Sequence, residues 1–123
     1  MSFFNGNKYT DRQAAAANAR KAMAETSNVL LVSAASAWEI ATKVRLGRLP
    51  GAAELAADFQ GFMLREGFTT LDITVDHGIR AGLLPGPRRD PFDRMLAAQS
   101  QVEAIPLLTA DPAFKEFGVR VIW

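Results

Sequence analysis

The sequence predicts an α/β domain built around a mainly parallel sheet. Two continuously apolar runs rich in β-forming residues, 29–32 and 105–109, indicate strands that are buried on both faces. Segments with helical spacing alternate with these runs, and this alternation is typical of parallel sheets covered by helices on both faces. A length of 123 residues suits one domain, so we expect residues 1–123 to fold as a single unit.

Six helices and four strands are predicted in chain order. The helices cover about residues 10–25, 37–46, 52–66, 75–84, 91–103 and 112–117, and the strands cover 29–32, 71–74, 105–109 and 119–122. A capping-box pattern at Thr10 and Gln13 begins the first helix. Gly47 and Gly67 are placed to end the second and third helices, and Pro85 stops the fourth. The third helix carries an apolar stripe that predicts a core face, formed by Leu55, Phe59, Phe62 and Met63.

Composition excludes several classes of site. The chain has no cysteine and one histidine, which excludes disulfides, thiolate metal sites and multi-histidine zinc sites. Its formal net charge is +1, so only a local patch of positive charge could attract nucleic acid. No apolar run approaches the roughly 20 residues that span a bilayer, and no signal-peptide pattern is found. We therefore expect a soluble cytoplasmic protein with no membrane partner.

Four acidic residues lie at predicted helix starts. Taken alone, each favours a structural role. Glu39 follows Ser36 by three residues, which is the spacing of a capping box. Asp90 is placed to cap the fifth helix, with Asp93 in its first turn, and Asp111 is placed to cap the last helix.

The combination of these acids favours a metal site. Glu39 and Asp111 each follow a strand, and Asp93 begins the helix that leads into the strand before Asp111. The carboxyl ends of parallel strands share one edge of the sheet, where ligands bind. Carboxylates gathered there repel one another unless a cation holds them, and oxygen-only ligation points to Mg²⁺ or Mn²⁺. Asp90 is close enough to act as a ligand or as a support for one.

Three arginines flank the fifth helix start. Arg88 and Arg89 precede Asp90. Their position favours two roles equally, exposure in a solvated loop and contact with RNA phosphates. Arg94 is expected to pair with an acid, with substrate contact as its second role.

Other polar and aromatic side chains are given structural roles by their local pattern. His77 is predicted to lie on the surface or to cap a helix, and Lys43 to be solvated. Trp38 and Trp123 are predicted to be packing anchors rather than surfaces for base stacking.

Four stretches of the sequence, VSAASAWEIATKVRLGRLP, RRDPFDRMLAAQS, IPLLTADPAF and GVRVIW, closely resemble PIN-domain proteins, in particular the VapC-like toxins of bacterial toxin–antitoxin pairs. The resemblance runs over about residues 29–123. It implies a three-layer α/β/α fold, bound Mg²⁺ or Mn²⁺, and hydrolysis of RNA. Glu39, Asp93 and Asp111 match three of the four catalytic, metal-binding acids of that pattern, and Asp90 matches a further acid. A VapB-like antitoxin and a second copy of the chain are the implied protein partners.

The resemblance fails at the start of the sequence. Such proteins begin with an apolar strand that ends in Asp-Thr-His or similar, whereas this sequence begins MSFFNGNKYTDRQ. We therefore expect the central first strand and its aspartate to be missing, which exposes strand edges on its neighbours. We expect these edges to be covered either by direct pairing of 29–33 with 105–109, or by a strand from another chain in a strand-swapped dimer. With one ligand missing, we expect weak metal binding and impaired activity.

Two alternatives to an RNA-cleaving toxin stay open. A catalytically inactive PIN remnant would act only as a protein-binding or dimerisation module. A receiver-like phospho-acceptor also places acids at the carboxyl edge of a sheet. That function needs an acidic pair after the first strand and a suitably placed lysine, and neither is found here.

Overall fold

The structure is a computed structural model that describes Lys21 and residues 30–87, 89–109 and 111–122. Its strands and helices alternate, and every described strand pair is parallel, so the α/β class is confirmed. The predicted first helix lies outside the described residues, except for helical Lys21. The predicted first strand, 29–32, is described from residue 30 onwards and corresponds to β1, which begins at Leu31. The described elements are, in chain order, β1 (Leu31–Ser33), α1 (Ala34–Arg45), a 3₁₀ turn (Pro50–Ala52), α2 (Ala53–Ala57), α3 (Phe59–Glu66), β2 (Thr69–Leu71), α4 (Val75–Leu83), α5 (Pro91–Glu103), β3 (Leu107–Leu108), a 3₁₀ helix (Pro112–Phe117) and β4 (Val121–Ile122).

The described strands form two separate parallel pairs. β1 pairs with β2 so that Leu31 lies opposite Thr69, and β3 pairs with β4 so that Leu107 lies opposite Val121. The predicted direct pairing of 29–33 with 105–109 is therefore wrong for the residues described. Side-chain packing, rather than a backbone ladder, links the two pairs, because Leu108 of β3 packs against the apolar cluster that contains a β1 residue. Repair by a second chain stays a prediction.

Helix α1 begins three residues earlier than the sequence predicts. Its N-cap is Ser33, whose Oγ accepts a hydrogen bond of 2.9 Å from the Ala35 amide. The predicted cap, Ser36, is instead buried inside the helix. Two serines three residues apart offer alternative starts, and the strand's end at Ser33 selects the first of them.

The predicted helix over 52–66 is broken in two at Asp58. The backbone of Asp58 is non-helical, and its Oδ1 accepts a hydrogen bond of 3.1 Å from the Gly61 amide, which caps α3. An aspartate side chain competes for backbone donors in this way, so it favours a new start over helix continuation. The apolar stripe of this region still faces the core, where Met63 is buried, and Gly67 ends α3 in the left-handed conformation.

The later elements match the predicted order with shorter strands. α4 ends one residue early, and α5 covers the predicted range because Asp90 caps it at Pro91. β2 begins two residues before its predicted start. β3 covers only the centre of the predicted strand 105–109, and β4 covers only the end of the predicted strand 119–122. The last predicted helix is a 3₁₀ helix that ends at Gly118.

The buried apolar side chains form two clusters. The first joins β1, α1 and α3 through residues that include Val32, Ile40 and Met63. The second joins α4, α5 and the 3₁₀ helix through residues that include Leu96 and Phe114. α1 and α5 therefore belong to different clusters, and they contact each other where the clusters meet. None of the described helices has both the length and the apolar character that crossing a membrane requires.

A buried polar network connects β1, α4 and α5. Gln99 of α5 accepts a hydrogen bond of 2.5 Å from the Ser33 hydroxyl and donates one of 3.3 Å to the Asp72 carbonyl. His77 is fully buried beside Gln99 and forms a capping box with Thr74. The predicted cap is thus confirmed, whereas the predicted surface position of His77 is wrong.

The hydrogen bonds of His77 fix its tautomer. Nδ1 accepts from the Thr74 amide at 3.0 Å, so Nε2 carries the proton and donates to Oε1 of Glu103 at 2.8 Å. Both ring nitrogens are therefore used inside the fold, as expected for a buried polar side chain.

Replacing Gln99 by leucine is expected to lower the free energy of unfolding by about 1–3 kcal/mol, because the Ser33 hydroxyl and the Asp72 carbonyl lose buried partners. Urea denaturation measures this loss. Gln60→Leu, at an exposed position of α3, is the matched control. An equal loss in both variants would show that the network contributes nothing of its own.

Candidate metal centre

Glu39 lies in the middle of α1 and is buried, with its carboxylate facing α5. Because Ser33 is the N-cap of α1, Glu39 does not occupy the capping-box position, and the predicted capping role is wrong. Its Oε2 instead lies 3.2 Å from Nζ of Lys43, one turn further along the helix. The Lys43 side chain is only 24% exposed, so the prediction that it is simply solvated is also wrong. Opposite charges four residues apart on a helix stabilise each other.

The start of α5 presents two carboxylates. Oδ1 of Asp90 accepts hydrogen bonds from the amides of Phe92 at 2.9 Å and Asp93 at 3.1 Å, so the predicted N-cap is confirmed. Both of these bonds use Oδ1, and they hold the Asp90 carboxyl group at the end of the helix. Asp93 follows in the first turn and is buried. The positive end of the helix dipole favours both negative charges.

The contact between α1 and α5 brings three acids together. One carboxylate oxygen from each of Glu39, Asp90 and Asp93 lies within 4.8 Å of the other two. Glu39 and Asp93 are buried, while Asp90 is exposed, so the group opens towards solvent on the Asp90 side. Three hard oxygen donors at this spacing fit Mg²⁺ or Mn²⁺ and match the ligand preference of those ions.

The electrostatics of the three-acid group also favour binding of a cation. Burial raises the pKa of Glu39 above its ordinary value, and the charges of Asp93 and Asp90 raise it further. The neighbouring Lys43 ammonium lowers the pKa of Glu39, yet the net direction is upward. A divalent cation among the three acids would remove this mutual repulsion.

Asp111 is not part of the three-acid group. It caps the 3₁₀ helix, because its Oδ1 accepts a hydrogen bond of 2.9 Å from the Ala113 amide. Its own amide donates to Oγ1 of Thr109 at 3.1 Å. The predicted N-cap is therefore confirmed, and metal ligation by Asp111 stays a prediction.

The predicted RNA-contacting arginines have different environments. Arg88 lies outside the described residues, and Arg89 is exposed in the loop before α5. Arg94 donates hydrogen bonds to the carbonyls of Ala81 at 3.0 Å and Leu84 at 2.5 Å. It therefore holds the C-terminal end of α4, where positive charge is favourable. Substrate contact by these arginines stays a prediction.

The predicted packing role of Trp38 does not account for its exposure. The Trp38 side chain is 60% exposed, although its ring contacts that of Phe92 edge-on at a centroid distance of 4.6 Å. Trp38 precedes Glu39 and Phe92 precedes Asp93, so the aromatic pair and the acids belong to the same helix contact. The position of each aromatic residue directly before an acid in the sequence is the signal that could have identified the exposed aromatic pair.

Comparison with known proteins adds one match. The sequence model of a protein family described as PIN domain matches residues 7–119, which is most of the chain. No curated protein and no solved structure matches the chain significantly.

In the presence of EDTA at neutral pH, Glu39→Gln is expected to raise the melting temperature. Because the folded pKa of Glu39 is raised, the stability that this group contributes is fully present below its unfolded pKa of 4.5 and is lost as the pH rises through the folded value. The variant escapes that loss, so the difference between the two proteins should vanish below pH 4.5.

Thermal unfolding followed by circular dichroism across this pH range measures the difference. Glu66→Gln, which also removes one carboxylate at an exposed position at the end of α3, is the control and should leave the melting temperature at neutral pH unchanged. A melting temperature that falls in Glu39→Gln at neutral pH would contradict the burial argument.

Proposed function

The chain belongs to the PIN-domain family, a family with a nuclease-type fold, and we propose that it is a divalent-metal-dependent endoribonuclease of the VapC-like toxin type. The observation that carries this proposal is the group of three carboxylates formed by Glu39, Asp90 and Asp93. The buried positions of two of these acids support a functional role, because buried carboxylates that repel one another lower the stability of the fold.

In this proposal, Glu39, Asp90 and Asp93 hold Mg²⁺ or Mn²⁺. A bound divalent cation stabilises negative charge on a phosphate and lowers the pKa of water. The Asp90 cap fixes the direction of its carboxyl group, and the ion pair with Lys43 restrains the Glu39 carboxylate. RNA phosphates would approach from the exposed Asp90 side, where Arg89 is also exposed and supplies positive charge.

The aromatic pair supports single-stranded RNA as the substrate. Trp38 presents an exposed ring beside the acids, and the Phe92 ring holds it from the edge. A base can stack on such a ring, since stacking does not require a particular base. The nucleotide next to the cleaved phosphate would then be held by Trp38, while the acids act on the phosphate.

A VapB-like antitoxin is the protein partner that the proposal implies. An amphipathic antitoxin helix could bind along α3, where Leu64 is exposed although its neighbours on the opposite face form the core. The alternative function, a PIN remnant that only binds other proteins, predicts antitoxin binding without any metal uptake or RNA cleavage.

Cleavage of a single-stranded RNA in Mg²⁺ is expected to fall by at least on the order of 100-fold in Asp93→Asn, because a buried ligand loses its charge. EDTA should abolish cleavage by the wild type, and excess Mg²⁺ should restore it. Asp72→Asn, at an exposed position before α4, should cleave as the wild type does. Equal cleavage by wild type and Asp93→Asn would remove Asp93 from the reaction, and a wild type that neither binds Mn²⁺ nor cleaves RNA would favour the remnant.

Trp38→Ala is expected to weaken RNA binding by roughly 1–3 kcal/mol, the usual contribution of one stacked base. Fluorescence anisotropy with labelled single-stranded RNA in EDTA measures binding without cleavage. Trp38→Phe should keep most of the affinity because an aromatic face remains, and Leu64→Ala, at an exposed apolar position of α3, should have no effect. Unchanged binding by Trp38→Ala would limit this side chain to packing.

A further inference from the structure

Lys43 places a positive charge beside the three-acid group. Its Nζ lies 3.2 Å from Oε2 of Glu39, and the two side chains are 24% and 4% exposed. By contrast, the side chains of the ion pair formed by Arg65 and Asp58 are 65% and 64% exposed. An exposed pair already gives a helix the small benefit of opposite charges, whereas burying a pair removes both charges from water at a cost. Helix stability alone therefore does not explain the largely buried position of the Lys43 pair.

Lys43 is the counter-charge of Glu39. Among the described residues whose charges shift the pKa of Glu39, Lys43 is the cation, and the other two acids of the group are the anions. The two arginines near the start of α5 have other positions, because Arg94 donates hydrogen bonds to carbonyls at the end of α4 and Arg89 is exposed in the preceding loop. The three-acid group thus includes a positive charge that belongs to the protein itself.

The charges of the group suit one divalent cation. Three ionised carboxylates carry three negative charges, and the Lys43 ammonium balances one of them. One divalent cation balances the other two, so the group with its cation is neutral. Glu39 can take part in both contacts, because Oε2 pairs with Lys43 and a carboxylate has a second oxygen that can serve as a ligand.

A second divalent cation would be repelled by this arrangement. In two-metal sites the ions lie roughly 3.5–4 Å apart, so both must share one group of acids. Here the second ion would add positive charge to a group that is already neutral and that holds a largely buried ammonium. Charges of the same sign repel each other more strongly in such an environment than in water.

We propose that Lys43 is a resident cation of the three-acid group, which takes the place of a second metal ion and limits the group to one divalent cation. Its ammonium also repels that cation, so Lys43 holds the affinity for divalent metal below the value that the acids alone would give. This inference rests on the proposed function in one respect, namely that the three acids bind a divalent cation. It does not depend on RNA cleavage, and its test measures metal binding and stability.

Titration calorimetry of the full chain with Mn²⁺ at pH 8 measures the affinity and the number of bound ions, and this pH limits competition from protons. The wild type is expected to bind one Mn²⁺. Lys43→Met should bind Mn²⁺ about tenfold more tightly, because one positive charge beside the site is removed. Lys43→Arg should bind as the wild type does, because the charge remains.

Arg65→Met is the matched control for the loss of a positive charge. It also removes the cation of an ion pair and changes the net charge by the same amount, but its pair lies on the exposed surface of α3. Its affinity for Mn²⁺ should equal that of the wild type.

Thermal unfolding separates this role from a purely structural one. In EDTA, Lys43→Met should melt below the wild type, because the buried carboxylates lose their counter-charge. Saturating Mn²⁺ should reduce that difference, since the ion supplies the lost charge and stabilises the variant that binds it more tightly. An ion pair that only stabilises α1 would leave the same difference in EDTA and in Mn²⁺, and that result would contradict the proposal.

Three results of the calorimetry would overturn the proposal: equal Mn²⁺ affinity of the wild type and Lys43→Met, two Mn²⁺ ions bound by the wild type, or no Mn²⁺ bound by either protein. Failure of the proposed function gives a different result. The expected increase in Mn²⁺ affinity without RNA cleavage by either protein would retain the role of Lys43 and reject the nuclease. Cleavage of RNA by the wild type together with equal Mn²⁺ affinities would reject only the role of Lys43.

Discussion

The hydroxyl group of Ser33 joins the parts of the structure on which the candidate site depends. It accepts a hydrogen bond from the Ala35 amide in the first turn of α1 and donates one to Gln99 of α5. One side chain therefore lies at the end of β1, caps α1 and connects α1 to α5. The position of Glu39 opposite Asp93 follows from this tie, because both residues lie on the helices that it joins. Hydrogen bonds that are buried in this way strengthen one another and define one arrangement of the helices.

The three carboxylates work against the stability that the surrounding network provides. Their charges lie close together, two of them are buried, and Lys43 offsets the repulsion only in part. Such groups occur where a site must be ready to bind a cation, and the rest of the fold compensates for their cost. The α5 dipole and the Asp90 cap contribute to this compensation, since both favour negative charge at the start of the helix.

Local patterns predicted most elements, although the local break at Asp58 was missed. They also failed where distant residues decide the outcome. The bounds of α5 were predictable because Asp90 and Pro91 specify its start within four residues of sequence. The burial of His77 was not, because its partners Gln99 and Glu103 are more than 20 residues away. For the site, the order of acids along an α/β chain predicted a group of Glu39, Asp93 and Asp111 with Asp90 beside it, and the structure brings Glu39, Asp90 and Asp93 together. At Asp111, an N-cap and a metal ligand share the same local sequence, so the pattern could not separate the confirmed capping role from the predicted ligand role.

The loop between α4 and α5 is fastened at both ends by the first turn of α5. Arg94 holds the last carbonyls of α4, and Asp90 caps the helix that follows the loop. The two ends of this short loop are therefore held at a fixed separation by these contacts, whereas the ends of a loop without such contacts can move. In protein engineering, this is a poor place to insert a tag or to open the chain for circular permutation, because added length would displace Asp90 from the three-acid group. The segment around Gly47, where Leu46, Gly47 and Arg48 are all exposed, is the more tolerant position.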